Sequence, residues 1–130
     1  MSAEQLDVEL PMPPSTNNLY RNATTKQGVP IRPLTGEGKR WKADAIKVIG
    51  SCANHQGFAA PPKSFLDVTI HYYAPNVLVW DLDGKTKLLL DALSTVLGVD
   101  DRYIIDLRLR KRRSITAYLR MRVLLSKERV

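Results

Sequence analysis

FLDVTIHYY occupies residues 65–73, GKTKLLLDALSTVLG occupies residues 84–98 and YIIDLRLRK occupies residues 103–111. In the first and last of these segments apolar and polar residues alternate, which predicts strands with one buried and one wet face. The middle segment has apolar residues at helical spacing and ends at Gly98, which favours a helix that stops there. A strand, a helix and a second strand therefore form the centre of the predicted fold.

The flanking segments extend this pattern in both directions. Leu6 to Leu10 alternates like a strand, and Ile115 to Leu124 predicts a last strand. A helix is expected from Thr35 or Gly36 to about Asn54, and residues 11–35 between strand and helix are predicted to be a loop. The order strand, helix, strand, helix, strand, strand predicts an α+β fold: a single mixed four-stranded sheet with two helices, ending in a basic C-terminal hairpin.

Length and composition exclude several classes of protein. The chain has 130 residues, of which 44% are hydrophobic and 25% charged, and we expect one domain over residues 1–130. It has no apolar run long enough for a membrane-spanning helix, and its first residues do not resemble a signal peptide. The single cysteine, Cys52, forbids an internal disulfide and fits a reducing compartment. A cytoplasmic protein with no membrane partner is expected.

The positive charge is concentrated at one end of the chain. The formal net charge is +7, and residues 101–130 carry ten basic and three acidic side chains, which is the whole surplus. Alternation along the last two strands puts several of these cations on one face, which indicates a nucleic-acid partner. The alternative is a solvated basic face without a partner. The residues expected to contact nucleic acid on this face, with Tyr118 among them, are Arg108, Arg110, Arg120 and Arg122.

Acidic residues form a contrasting group earlier in the chain. Asp81 and Asp83 point the same way in an extended segment, and Lys87 lies one turn beyond Asp83 on a helix. Gly98 is expected to let the chain fold back, so that Asp100 and Asp101 return towards them. Converging carboxylates in a cationic protein favour a Mg²⁺ site for phosphodiester hydrolysis, with Lys87 neutralising phosphate charge. The alternative is structural: a helix cap at Asp83 and turn formers at Asp100 and Asp101.

Two other functions remain open from these residues. A nucleic-acid-binding protein without catalysis would use the basic face and keep the aspartates as structural residues. Residues 77–84, VLVWDLDG, also resemble the nucleophile strand of haloacid-dehalogenase-like phosphatases, although that motif has Thr or Val where Lys85 stands here. A phosphatase would act on small phosphate esters, whereas the other two would act on DNA.

Two stretches together resemble the RusA family of Holliday junction resolvases of phages and prophages. Residues 10–21, LPMPPSTNNLYR, are similar to the family's Pro-Pro-Ser start, and residues 81–93, DLDGKTKLLLDAL, with the later Asp100–Asp101 pair, are similar to its acidic block. The resemblance implies a homodimeric, Mg²⁺-dependent phosphodiester hydrolase, with Mn²⁺ as a substitute and no small-molecule cofactor. Such an enzyme resolves four-way DNA junctions by paired symmetric nicks in recombination and repair.

The resemblance also implies site residues. The family's metal-binding aspartates fall on Asp81, Asp83 and Asp101, and its essential lysine falls on Lys87. These four are the expected catalytic residues. Further DNA contacts are expected from Arg21 in the long loop and from the two lysines Lys85 and Lys87.

Overall fold

The computed structural model describes residues 4–14, 23–31, 35–78 and 82–127. In these ranges the strands are β1 (Gln5–Pro11), β2 (Ala23–Thr24), β3 (Pro30–Ile31), β4 (Leu66–Ala74), β5 (Ile104–Arg113) and β6 (Tyr118–Leu125). The helices are α1 (Gly36–Gln56) and α2 (Leu82–Leu97), and a 3-10 helix covers Asp101–Tyr103. None of the described helices is long and apolar enough to cross a membrane.

The main sheet has four strands in the order β1, β6, β4, β5. β4 and β5 are parallel because α2 forms the crossover between them, whereas β6 is antiparallel to both β1 and β4. The predicted fold class, a mixed four-stranded sheet with two helices, is confirmed.

The predicted pairing of the last two strands is wrong. β5 and β6 follow each other in the chain but do not form a hairpin, since β4 lies between them and pairs with both. The predicted loop over residues 11–35 also contains regular structure, because β2 and β3 form a small antiparallel pair. Alternation identifies a strand but carries no information about which strand lies beside it.

The hydrophobic core lies between one face of the sheet and the two helices. β4 alternates buried and half-buried residues along its whole length, and Leu66, Val68, Ile70 and Tyr72 are at most 2% exposed. The N-cap of α1 is Thr35, whose hydroxyl accepts from the Gly38 amide, and the helix ends at Gly57 in the left-handed region. No described helix covers the opposite face of the sheet, which we call the open face.

A buried hydroxyl pair fixes the start of α2 against β4. Tyr72 is fully buried, and its hydroxyl lies 2.7 Å from the Thr86 hydroxyl, which donates to the Leu82 carbonyl. Burial raises the pKa of Tyr72 to about 12, so the phenol stays protonated and donates to Thr86.

Tyr72→Phe is therefore expected to lower the free energy of unfolding by about 1 kcal/mol, because it deletes a buried hydrogen bond without changing the packing. Urea denaturation measures the change. Tyr73→Phe is the matched control, since Tyr73 lies on the open face and should give a much smaller loss. Equal effects of the two substitutions would contradict the assigned hydrogen bond.

Candidate active site and nucleic-acid interface

The start of α2 lies at the end of the sheet where β4 and β5 finish, which we call the upper end. The backbone of Asp83 is in the first turn of α2, and Lys87 follows one turn later with an exposed side chain. The Lys111 ammonium donates to the Val77 carbonyl at 2.7 Å. This hydrogen bond holds the segment before α2 against the end of β5. Asp81, the Asp83 side chain and Arg21 lie outside the described part of the structure.

The proline-rich segment at the end of β1, residues 11–14, lies against the start of α2. The Lys85 ammonium donates to the Pro13 carbonyl at 2.8 Å, although 72 residues separate them. The indole N–H of Trp41 donates to the Pro11 carbonyl at 3.1 Å, which holds the same segment to α1. The two sequence stretches that resemble the junction resolvases are therefore in direct contact at the upper end of the sheet.

Lys85 was expected to contact nucleic acid, and its position does not fit that role. Its side chain is only 5% exposed, and burial lowers the pKa of its ammonium. The sequence carried a signal for this, because Lys85 shares a helical stripe with the buried residues Leu88, Leu89 and Ala92. Lys85 is a buried anchor for the proline-rich segment.

Asp100 and Asp101 lie at the opposite, lower end of the sheet. Asp100 caps the 3-10 helix by accepting from the Arg102 amide at 2.9 Å, and this bond lowers the pKa of its carboxyl group. Asp101 is exposed in the same turn, and the neighbouring Tyr103 packs on Phe65, which precedes β4. Structural capping therefore accounts for Asp100.

The expected return of Asp101 to the start of α2 does not occur within one chain. α2 has 16 residues, so it spans about 24 Å, and Asp83 and Asp101 lie at its two ends. Gly98 does end the helix with a positive φ of 66°, but the chain then enters β5. Because β5 is parallel to β4, it must begin at the lower end.

The described residues of one chain do not form a complete metal site. Among them, no three His, Cys, Asp or Glu side chains lie close enough together to hold an ion. Lys87 is separated from Asp101 by about 15 Å of helix. The backbone of Asp83 and the Asp101 turn are therefore separated by the length of α2 within one chain.

Charged side chains are distributed unevenly across the four strands of the open face. Arg122 contacts Asp7 at 2.8 Å and Arg120 contacts Glu9 at 3.1 Å, both between β6 and β1. On β5, Arg108 lies 3.4 Å from Asp106, and Arg110 is exposed with no ion pair among the described residues. All three pairs are more than 40% exposed, so each contributes little to stability.

The four predicted arginines share the open face but do not lie side by side. Thr69 and His71 of β4 separate the arginines of β6 from those of β5. Sequence alone also missed the acidic partners on β1, because their register opposite β6 depends on long-range pairing. The basic side of the face therefore runs along β5, where alternation places three arginines on the open face: Arg108, Arg110 and Arg112.

His71 lies at the centre of the open face. The Arg112 guanidinium donates to its Nδ1 at 3.2 Å, so this nitrogen acts as an acceptor in the neutral ring. Burial lowers the pKa of His71, and Arg112, Arg110 and Arg122 lower it further. The ring is therefore neutral at physiological pH.

Two tyrosines complete this region of the open face. The rings of Tyr73 and Tyr118 stack with centroids 4.6 Å apart, and the Arg120 guanidinium lies within 6 Å of both. They stand beside a depression of about 690 Å³ whose lining includes His71 and Tyr73. Aromatic rings next to arginines provide stacking surfaces that nucleic-acid bases use.

The lowered pKa of His71 predicts a pH dependence of stability. The unfolded chain binds the proton near pH 6.5 and the folded chain only at lower pH, so the folded state loses stability as pH falls below about 6.5. His71→Gln is expected to reduce this loss, as measured by urea denaturation on both sides of that pH. His55→Gln, at the end of α1, is the control, and an unchanged pH dependence in His71→Gln would contradict the assignment.

Comparisons of the sequence with known proteins find relatives that share one name. The chain is 29% identical over 105 residues to a crossover junction endodeoxyribonuclease RusA of Escherichia coli K12 and 28% identical to that of Enterobacteria phage 82. In both cases the match covers 80% of each chain. No family model matches. A solved structure of a 2C-methyl-D-erythritol 2,4-cyclodiphosphate synthase from Plasmodium vivax aligns with a TM-score of 0.36 and 12% identity, which is too low to indicate a shared fold. Over most of its length, the chain is thus similar to RusA crossover junction endodeoxyribonucleases.

Proposed function

We propose that this protein is a Mg²⁺-dependent endonuclease that resolves four-way DNA junctions by paired nicks, in recombination and repair. The observation that supports this most strongly is the contact between Lys85 and Pro13. It joins the proline-rich segment to the Asp81–Lys87 segment, in a chain similar to RusA endonucleases over 80% of its length. We further propose a homodimer in the cytoplasm of a bacterial or phage-infected cell, associated with the nucleoid and formed by one nuclease domain per chain.

The start of α2 is the proposed catalytic end of the molecule. Asp81 and Asp83 would hold Mg²⁺ or Mn²⁺, which when bound neutralises phosphate charge and lowers the pKa of water. Lys87 has an exposed side chain, and its ammonium would stabilise negative charge that develops on the phosphate. The helix N-terminus adds partial positive charge at the same place.

The proposed DNA track follows β5. Its three open-face arginines, Arg108, Arg110 and Arg112, follow one another towards the upper end of the sheet, where α2 also begins, so a phosphate backbone lying on β5 leads towards the end of the molecule that carries Lys87. The arginines of β6 are held by acidic partners and serve as a second row of contacts. The register therefore favours β5 over β6 as the primary phosphate contact.

The structure disfavours the phosphatase alternative. In haloacid-dehalogenase-like enzymes the nucleophile follows directly on a strand, whereas here β4 ends at Ala74 and the described residues that come next, 75–78, are not part of a strand.

Substrate class tests the proposed function. Purified protein is incubated with an end-labelled four-way junction, a linear duplex of the same sequence and p-nitrophenyl phosphate, each with Mg²⁺ or with EDTA. We expect nicks near the crossover of the junction, only with Mg²⁺, and no turnover of the duplex or the ester. Tight junction binding without nicks in Mg²⁺ or Mn²⁺ would indicate a non-catalytic binding protein, and ester turnover alone would indicate a phosphatase.

A further inference from the structure

The depression on the open face is bordered by charged and aromatic side chains of three neighbouring strands. The strands β1, β6 and β4 contribute Asp7, Glu9, Arg120, Arg122, His71 and Tyr73. Its volume of about 690 Å³ is typical of sites that bind small molecules or parts of larger ones. A ligand that fits these walls carries a flat ring for the tyrosine and polar groups for the charged pairs.

Hydrogen-bond donors and acceptors stand side by side where β6 meets β1. Glu9 accepts from Nε of Arg120, and Asp7 accepts from Nε of Arg122 and from Gln5. A guanidinium has five N–H groups and a carboxylate has about four lone-pair positions, so these contacts exhaust neither side of either pair. The edge of a nucleobase also carries donors and acceptors side by side, and it is complementary to such a pair.

The opposite side of the depression is aromatic. The Tyr73 ring lies nearly parallel to the Tyr118 ring, at an interplanar angle of 7°, and its centroid is 6.4 Å from that of His71. Nδ1 of His71 accepts from Arg112, so the hydrogen of the neutral imidazole is on Nε2, which is a donor. A flat ring can stack here and meet a donor at the same time, as the bases of single strands do on aromatic side chains.

One row of side chains connects this depression to the arginines of β5. Glu9, Arg120, His71 and Arg110 stand opposite one another across all four strands. Neighbouring strands are about 4.8 Å apart, so the backbones of β5 and β6 are about 10 Å apart across β4. A nucleotide spans a similar distance from its phosphate to the far edge of its base. A phosphate on Arg110 therefore allows its base to reach the Glu9–Arg120 pair.

We propose that the depression is a binding site for an unpaired base of single-stranded DNA, with the phosphates of the strand on the β5 arginines. The base must be unpaired because pairing covers the edge that meets the Glu9–Arg120 pair. This inference rests on the proposed function only for DNA as the partner. It can be tested by binding alone, without nuclease activity.

Photo-cross-linking of the wild-type protein measures where the base lies. A short thymine oligonucleotide with one 5-iodouracil is irradiated with the protein, and mass spectrometry locates the new covalent bond. Because 5-iodouracil reacts with aromatic side chains that stack on it, we expect adducts on Tyr73 or His71. The control is the same oligonucleotide annealed to its complement, which should give no adduct at these residues. Adducts found only elsewhere, such as on Tyr103 at the lower end, or no adducts, would overturn the proposal.

Substitution of Tyr73 measures the contribution of stacking. Tyr73→Leu is expected to weaken binding of the single strand by about tenfold, because leucine fills a similar volume without a ring face. Tyr73→Phe is the matched variant and should bind the strand like wild type, since its ring still stacks. Fluorescence anisotropy of a labelled thymine oligonucleotide measures both affinities. Equal affinities of the two variants would overturn the proposal.

A free nucleotide is a second possible source of a base and a phosphate. Thymidine monophosphate should compete poorly with the oligonucleotide, because it offers one phosphate where the strand offers several to Arg108, Arg110 and Arg112. Equal competition at equal concentration would identify a mononucleotide site and overturn the proposed strand.

Binding and nicking separate this inference from the proposed function. A protein that nicks the four-way junction but does not bind the single strand would refute the inference and leave the function intact. A protein that binds the strand through Tyr73 but never nicks the junction would refute the nuclease and leave the binding site intact.

Discussion

Asp83→Asn is expected to reduce Mg²⁺-dependent nicking of a four-way junction by about a hundredfold or more, while junction binding stays equal or becomes tighter. The residue lies in the first turn of α2, where asparagine and aspartate are both well tolerated, so the helix should still begin normally. The substitution removes a carboxylate that would hold the cation and, at the same time, a negative charge close to the DNA phosphate. Catalysis and binding should therefore change in opposite directions.

Single-turnover nicking and a gel-shift titration measure the two quantities on the same junction. Asp44→Asn is the matched control, because it makes the same chemical change at an exposed position of α1. It should leave both the nicking rate and the affinity unchanged. Wild-type nicking by Asp83→Asn would refute the assigned role of the start of α2.

Arg108→Ala/Arg110→Ala is expected to weaken junction binding by about tenfold at moderate salt and to flatten its salt dependence. Each lost phosphate contact should lower the slope of log affinity against log salt concentration by about one. Arg110 has no ion pair among the described residues and Arg108 has only an exposed one, so both are available to phosphate. The fold should survive, because both side chains are exposed.

Lys39→Ala/Arg40→Ala provides the control for net charge. Both residues are exposed on α1, on the opposite side of the sheet from the open face, and their loss removes the same two charges. The control should change the salt slope only slightly. Equal slopes for the two double variants would mean that β5 is not the DNA track and that the charge acts only at long range.

Local pattern predicted the elements but not their arrangement. Alternation identified β4 within one residue of its observed bounds, and the helical stripe identified α2 within two. The same alternation made β5 and β6 look like a hairpin, because both segments are amphipathic and are joined by a short connection. Their separation by β4 follows from the parallel crossover through α2, which is a long-range pairing that no local period encodes.

The sequence predicted only part of the candidate site, because the other part depends on long-range strand pairing. Residues near each other in sequence, such as Asp83 and Lys87, share the start of α2 as expected. Asp101 belongs to the same sequence motif but lies at the other end of α2. The reason is that β5 is parallel to β4, so the chain must reach the lower end of the sheet before β5 begins. The position of His71 between two rows of arginines could not be predicted from the sequence, because it depends on the register of β4 with β5 and β6.

Cleavage of a plasmid-borne cruciform tests the central claim, paired resolution of a four-way junction, most directly. When both strands are cut within one binding event the supercoiled plasmid becomes linear, whereas single, unpaired cuts release the supercoiling and yield nicked circles. We expect Mg²⁺-dependent linear product, with cut sites placed symmetrically about the crossover, and no product from the same plasmid without the cruciform. Nicked circles alone, or equal cutting of both plasmids, would contradict the proposal that this protein is a junction resolvase.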